Sequence, residues 1–223
     1  MIQNRAFNYP LYLVSDEHTC GDELKVLIEQ ALLGGVSIIQ IRHKNHDVRE
    51  FIERAQTAKQ VIDRFNAEHY QDKSFVPLII NDRVDVALAV NADGVHLGQS
   101  DMPVDIARRL IGKDKILGLT VESPEQLNNA QHFEVDYLGI STIFNTATKT
   151  NTKYEWKIEG LMKAVQQSEK PLVAIGGITV NNIEKIAKTG VDSMALVSAI
   201  CANPDPQAAA KHLRELMILS SNS

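Results

Sequence analysis

Eight short apolar runs, most of them separated by a stretch long enough for a helix, constrain this chain more than anything else in it. They are Leu11–Val14, Val36–Ile41, Leu78–Ile80, Gly94–Leu97, Ile116–Leu119, Tyr137–Ile140, Leu172–Ile175 and Ser193–Val197. Runs this short and this apolar read as strands buried on both faces, which is what a parallel sheet demands. The segments between them carry helical periodicity. Leu24, Leu27, Ile28, Ala31 and Leu32 make one apolar stripe, and Ile183, Ile186 and Ala187 another. Gly34-Gly35, Gly112 and Gly190 stand where a helix would end before the next strand. At 223 residues the chain suits one large domain and is too short for two roomy ones. Eight alternations without a composition break predict an α/β chain forming a single (β/α)8 TIM barrel over residues 1–219, with 220–223 as a disordered tail. A doubly wound open sheet is the alternative.

Composition narrows the partners. A formal net charge of −5 gives no general attraction to nucleic acid or to an anionic membrane, so positive charge for an anionic ligand must be local. No apolar run approaches the roughly 18 residues of a membrane span, and Met1 to Pro10 lacks an apolar signal core. Cys20 and Cys201 are isolated, which argues against a disulfide framework or a thiolate zinc site and fits a reducing cytoplasm. A homo-oligomer is compatible with the chain.

In a barrel the chemistry gathers at the C-terminal ends of the strands. Asp82 follows the third run and Asp101 the fourth, so both belong at one rim, where they can share a hard cation such as Mg²⁺. The competing reading makes each a helix cap, Asp82 before Arg83-Val84 and Asp101 ahead of Pro103. Asp93, in the turn Asn91-Ala92-Asp93-Gly94, lies at the other end of its strand and reads as structural. With a period of two, Gln40, Arg42 and Lys44 share one strand face, while Ile39 and Ile41 take the other. Asn81, Gln99, Thr120, Glu122, Thr146, Thr148, Lys149, Gly176-Gly177 and Val197-Ser198 complete the rim. Carboxylates, fixed cations, hydroxyls and glycine-exposed backbone amides together suit Mg²⁺ with one or more phosphates. The loop 145–153 is long enough to act as a lid. His43 and His46 lack further nitrogen or sulfur partners for zinc. His96 falls within a strand, packed or substrate-facing. No Ser-His-Asp or Cys-His arrangement suggests a covalent nucleophile.

The ordered motifs Gln40-x-Arg42-x-Lys44, Asn81-Asp82-Arg83, HLGQ-x-D ending at Asp101, Thr146-x-Thr148-Lys149, Ile175-Gly176-Gly177-Ile178 and Val197-Ser198-Ala199-Ile200 carry a resemblance over nearly the whole chain. The sequence resembles the thiamine-phosphate synthase family. That resemblance implies a (β/α)8 enzyme joining 4-amino-2-methyl-5-hydroxymethylpyrimidine diphosphate to hydroxyethylthiazole phosphate with release of pyrophosphate. It implies that Gln40, Arg42, Lys44, Asn81, Thr120 and Lys149 bind the pyrimidine diphosphate, within a strand end that includes Ile41 and His43. Arg42, Lys44, Thr120 and Lys149 would be the catalytic set, and Asp82 and Asp101 would hold Mg²⁺. Thr146, Ala147, Thr148, Gly177, Val197 and Ser198 would receive the thiazole phosphate.

Three positions depart from the family's pattern. Thr120 stands where Ser is common, and keeps the hydroxyl. The stretch Ser141-Thr142-Ile143-Phe144-Asn145-Thr146 lacks two prolines that relatives carry, which removes backbone restriction from the strand-six loop. Glu122 replaces a common His. A thiazole tautomerase of the same barrel type is the nearest rival, but it needs an acid–base group rather than diphosphate cations and paired carboxylates. A non-catalytic phosphate-binding barrel is the rival from another class.

Overall fold

The computed structural model describes residues 7–45, 47–70, 75–145 and 154–221. Eight parallel strands close into a barrel: β1 (Leu11–Val14), β2 (Ile38–Ile41), β3 (Leu78–Asn81), β4 (Gly94–Leu97), β5 (Ile116–Val121), β6 (Tyr137–Ser141), β7 (Leu172–Ile175) and β8 (Ser193–Leu196), with β8 returning to pair with β1. The helices between them are α1 (Gly21–Leu33), α2 (Val48–His69), α3 (Val84–Ala89), α4 (Val104–Ile111), α5 (Pro124–Ala130), α6 (Lys157–Gln167) and α7 (Ile183–Ala187). A short α8 (Ser198–Cys201) and the longer α9 (Pro206–Ser221) follow β8. The single barrel is as expected and the open sheet is excluded.

Every strand is covered on both sides, which is why its sequence reads as an unbroken apolar run. Outward residues such as Leu11, Leu13, Ile39, Ile41, Leu78 and Ile80 pack with the buried helix faces, including the whole α1 stripe Leu24, Leu27, Ile28, Ala31 and Leu32. Inward residues make a second cluster, Tyr12, Val14, Ile38, Ile79, Ile116, Tyr137, Val173 and Ala195, capped by Phe7 and Tyr9. Each fully buried aliphatic side chain contributes about 1.5–3 kcal/mol by leaving water.

A repeated device joins the strands in pairs. Asp93, Asp136 and Asp192, each the residue before an even-numbered strand, accept a hydrogen bond from the backbone N–H of Leu78, Leu117 and Leu172 in the preceding strand, at 2.9, 2.7 and 2.8 Å. Ser37 does the same for Leu11 at 3.2 Å. Asp93 is therefore structural, as the turn implied.

Several boundaries differ from the expected ones for local reasons. β2 starts at Ile38 because the Val36 N–H still bonds back to Ala31 of α1. β3, β5 and β6 run on into the polar residues Asn81, Thr120 and Ser141. Gly35, Gly112 and Gly190 adopt positive φ after their helices, whereas Gly34 does not. α9 continues through Ser221, and Ser220 is buried, so the tail expected to begin at 220 is helical there.

Candidate active site

Strand alternation turns Gln40 toward the barrel interior; Arg42 and Lys44 follow the end of β2, and Asn81 at the end of β3 with Asp82 after it stands beside them. Arg42 donates to a carboxylate oxygen of Glu17 in the β1–α1 loop, and its own N–H bonds to the Ser15 hydroxyl at 3.0 Å. Lys44 Nζ donates to Asp82 Oδ2 at 2.5 Å. Asn81 is buried and its Nδ2 has no hydrogen-bond partner among the described residues. A buried amide N–H is costly to leave unpaired, so this atom points to a ligand contact.

Neither acidic residue caps a helix. The N-cap positions of α3 and α4 are Arg83 and Pro103, and neither has a side-chain cap bond. Asp82 instead has φ 63°, a left-handed conformation that a non-glycine residue holds only where the surroundings enforce it. Its N–H is anchored on the His96 carbonyl at 2.8 Å. Asp101 Oδ2 accepts from the Gly98 N–H at 2.6 Å. Burial, and then a side-chain hydrogen bond and charge repulsion from Asp82, push the Asp101 carboxyl above the ordinary carboxylate range, against the pull of Gly98 N–H and Lys44. The two carboxyl groups are thus close enough to repel, and the Lys44 ammonium is bonded to the Asp82 one. Among the described residues no cluster of three or more His, Cys, Asp or Glu side chains forms a ready metal cage.

Ile41 and His43 face the other way. Ile41 is buried between sheet and helices, and His43 packs on the Phe51 ring at 5.4 Å, with Glu50 at 3.5 Å. Their side chains do not reach the rim; those positions offer it only backbone. At β5, Thr120 Oγ1 lies 2.7 Å from His96 Nε2, and the Thr120 carbonyl accepts from Gln99 Nε2 at 2.6 Å. Glu122 is half-buried on the same rim, its N–H donating to Gln126 Oε1.

Thr146, Ala147, Thr148 and Lys149 lie outside the described residues, as does His46. The strands and chain ends around that loop are stapled together: Ile143 and Phe144 N–H bond to Ile175 and Gly176 carbonyls, and Trp156 and Lys157 N–H to Thr142 and Ile143 carbonyls. Asn145 N–H reaches Glu155, and Trp156 Nε1 the Ser141 carbonyl. Gly176 and Gly177 both have positive φ, and a Cβ on Gly177 would sit 2.8 Å from the Phe144 carbonyl oxygen. Glycine is required there by conformation and by close approach. Val197 and Ser198 follow directly at the end of β8.

Sequence reasoning missed Glu17 and the buried phenols Tyr12 and Tyr137, which join Gln40 to His96 inside the barrel. A carboxylate in the first rim loop was the available signal for Glu17. The phenols sit in runs that read only as apolar.

The chain is similar to known proteins over nearly its whole length. Residues 11–200 match the family model described as thiamine monophosphate synthase. A thiamine-phosphate synthase of Vibrio campbellii is 54% identical over 209 residues, covering 94% of this chain and 98% of that one. One from Ruminiclostridium cellulolyticum is 42% identical over 212 residues, covering 95% and 96%. The solved thiamine phosphate pyrophosphorylase from Pyrococcus furiosus superposes with a TM-score of 0.82 at 35% identity, covering 96% of this chain and 97% of that one. With sequence and fold in agreement, the chain belongs to the thiamine-phosphate synthase family of transferases.

Proposed function

We propose that this chain condenses 4-amino-2-methyl-5-hydroxymethylpyrimidine diphosphate with hydroxyethylthiazole phosphate, and that the rim built by β2, β3 and β4 handles the departing pyrophosphate. The observation that carries this reading is the placing of Asp82 and Asp101 after the neighbouring strands β3 and β4, Asp82 bonded to Lys44 and one strand from Arg42 and Gln40. Two carboxylates at neighbouring strand ends, capping nothing and with the Lys44 ammonium on one of them, form a hard oxygen donor pair that a divalent cation fits. Asp82 and Asp101 would hold Mg²⁺. When bound, Mg²⁺ would neutralise diphosphate charge.

The chain's own residues do the rest. Arg42, Lys44 and Lys149 stabilise the charge that develops as pyrophosphate leaves. Gln40, Asn81 and Thr120 hold the pyrimidine so that its methylene faces the thiazole nitrogen, an alignment worth several kcal/mol of barrier. That nitrogen is already nucleophilic, so no general base is needed. His96 fits this economy, since both its ring nitrogens are engaged with Tyr137 and Thr120. Thr146 to Thr148 with backbone groups at Gly177, Val197 and Ser198 receive the thiazole phosphate.

The test supplies the purified protein with both substrates and Mg²⁺ and follows pyrophosphate release and coupled product. Coupling that needs both substrates and is abolished by a chelator supports the reading. Isomerisation of the thiazole phosphate alone, without pyrophosphate release, would replace it with a tautomerase.

A further inference from the structure

A chain of polar side chains crosses the otherwise apolar barrel interior, linking five strands. Gln40 Nε2 donates to the Tyr12 hydroxyl at 2.7 Å, the Tyr12 and Tyr137 hydroxyls are 2.8 Å apart, Tyr137 OH lies 2.8 Å from His96 Nδ1, and His96 Nε2 lies 2.7 Å from Thr120 Oγ1. Both phenols are almost fully buried among Ile38, Ile79, Ile116 and Val173. Two glycines make the space. A Cβ on Gly118 would collide with the Tyr137 phenol and with His96 Nδ1, and one on Gly139 would come 3.1 Å from His96 Cε1. An aliphatic filling would be the ordinary choice for these inward positions.

Proton counting orders the chain. A phenol has one hydrogen. If Tyr12 oxygen accepts from Gln40, its hydrogen goes to Tyr137, and the Tyr137 hydrogen goes to His96 Nδ1. A neutral His96 then carries its proton on Nε2 and donates it to Thr120 Oγ1. Thr120 is left with its hydroxyl hydrogen for a ligand, and Gln40 with Oε1 as an acceptor. Burial pushes both phenols above their ordinary range, which keeps them protonated.

We propose that Tyr12, Tyr137 and His96 are positioning residues that fix which atoms of Gln40 and Thr120 accept and donate toward the pyrimidine, as one proton-ordered chain. This rests on the reading above that Gln40 and Thr120 hold that ring. An acceptor and a donor displayed together complement an aromatic ring carrying an amino group and unprotonated ring nitrogens. Breaking the chain frees both end groups to turn, and the loss falls on recognition of one substrate only.

Nitrogen-15 NMR of histidine in the whole protein, with His96 assigned by a His96→Gln variant, reads the order directly. The expected result is a neutral Nε2–H tautomer with Nδ1 unprotonated. An Nδ1–H tautomer would overturn the proposal, because the chain would run the other way. Tyr137→Phe should then mix the tautomers and raise KM for the pyrimidine diphosphate about tenfold, the weight of one hydrogen bond, while leaving KM for the thiazole phosphate unchanged. Tyr12→Phe cuts the chain on the other side and should raise the same KM with the His96 tautomer retained, so the test survives if one variant folds poorly. Gln40→Ala separates the two readings. If it raises the pyrimidine KM and the folded phenol variants do not, the positioning proposal fails. If it leaves that KM unchanged, the assignment of the pyrimidine site fails and takes the functional half of the proposal with it, while the tautomer still reports the order of the chain.

Discussion

Asp82 and Asp101 show how a side chain's role is decided by what it does not touch. Each precedes a helix, yet neither makes the cap bond its position invites, and both turn to one another at the rim. Asp101→Asn keeps an oxygen for the Gly98 N–H while removing a charged ligand. Pyrophosphate release should fall about a hundredfold or more, with thermal stability nearly unchanged; a large drop in melting temperature with intact, Mg²⁺-dependent turnover would restore a structural role. Glu122 is the opposite case. It lies on the rim where a proton shuttle would sit in a tautomerase, and coupling needs none, so Glu122→Gln should retain turnover within a few-fold. A loss of about a hundredfold in kcat, the scale of general acid–base catalysis, would reopen the isomerase reading, checked by supplying thiazole phosphate alone. The residues legible in sequence were those fixed by the strand itself: Gln40 on one face, Ile39 and Ile41 on the other, with Arg42 and Lys44 just past its end. Those that were not depend on which strand ends become neighbours. Arg42 meets Glu17 only because β1 pairs with β2, and Tyr12 meets Tyr137 only across the closed interior.

At the scale of elements, the barrel is assembled from strand pairs, each pinned at its start by a side chain that bonds across to the preceding strand. The sequence carries this as Ala92-Asp93-Gly94, Val135-Asp136-Tyr137 and Val191-Asp192-Ser193, but the local pattern alone reads as a turn, because its partner N–H lies on another strand. The same distance effect explains the strand ends that ran past their apolar runs: Asn81 and Ser141 are held in β3 and β6 by neighbours on both sides. The described residues on either side of the strand-six loop are held by backbone bonds from Ile143 and Phe144 to Ile175 and Gly176, and by Glu155 and Trp156. Asp93 gives this element a pH signature. Burial raises its pKa above the ordinary 3.8 despite the Leu78 N–H, Lys59 and Lys115. A carboxyl raised on folding stabilises fully below its unfolded pKa, and that contribution is lost as pH rises through the folded value. Asp93→Asn keeps an acceptor for Leu78 and removes the buried charge. Urea unfolding should therefore show the variant gaining on the native chain between pH 4 and pH 7.5; a variant that loses ground over that interval would mean the ionised carboxylate is the stabilised form.

For the molecule as a whole, closure has to be achieved twice, once by the sheet and once by the helices outside it. β8 pairs with β1 through Leu11, Tyr12 and Leu13, which seals the inner ring and leaves no sheet edge exposed. The outer ring is sealed by α9, which packs against α1 and α7 through a face including Ala210, Leu213 and Met217. It also meets Gly34, the residue after α1, close to the start of β2 and therefore at the end of the barrel opposite the rim. Gly34 has φ −77°, an ordinary conformation for any residue, so its glycine is explained by packing and not by backbone freedom. A Cβ there would stand 2.5 Å from the Gln207 carbonyl oxygen and 2.7 Å from Ala210 Cβ, distances that real Cβ atoms do not tolerate. Because backbone and a methyl are the obstacles, relief requires moving a helix. Gly34→Ala should destabilise the fold by about 1–3 kcal/mol, the usual cost of forcing volume into a packed contact. Well below its melting temperature the variant should keep wild-type kcat and KM, since the rim residues hang from the other ends of the strands. Equilibrium unfolding in urea, read beside steady-state kinetics at 25 °C, separates the two. Unchanged stability would show that α9 yields freely and does not lock the ring; altered kinetics in the folded variant would show that strain at this joint travels through the barrel to the site.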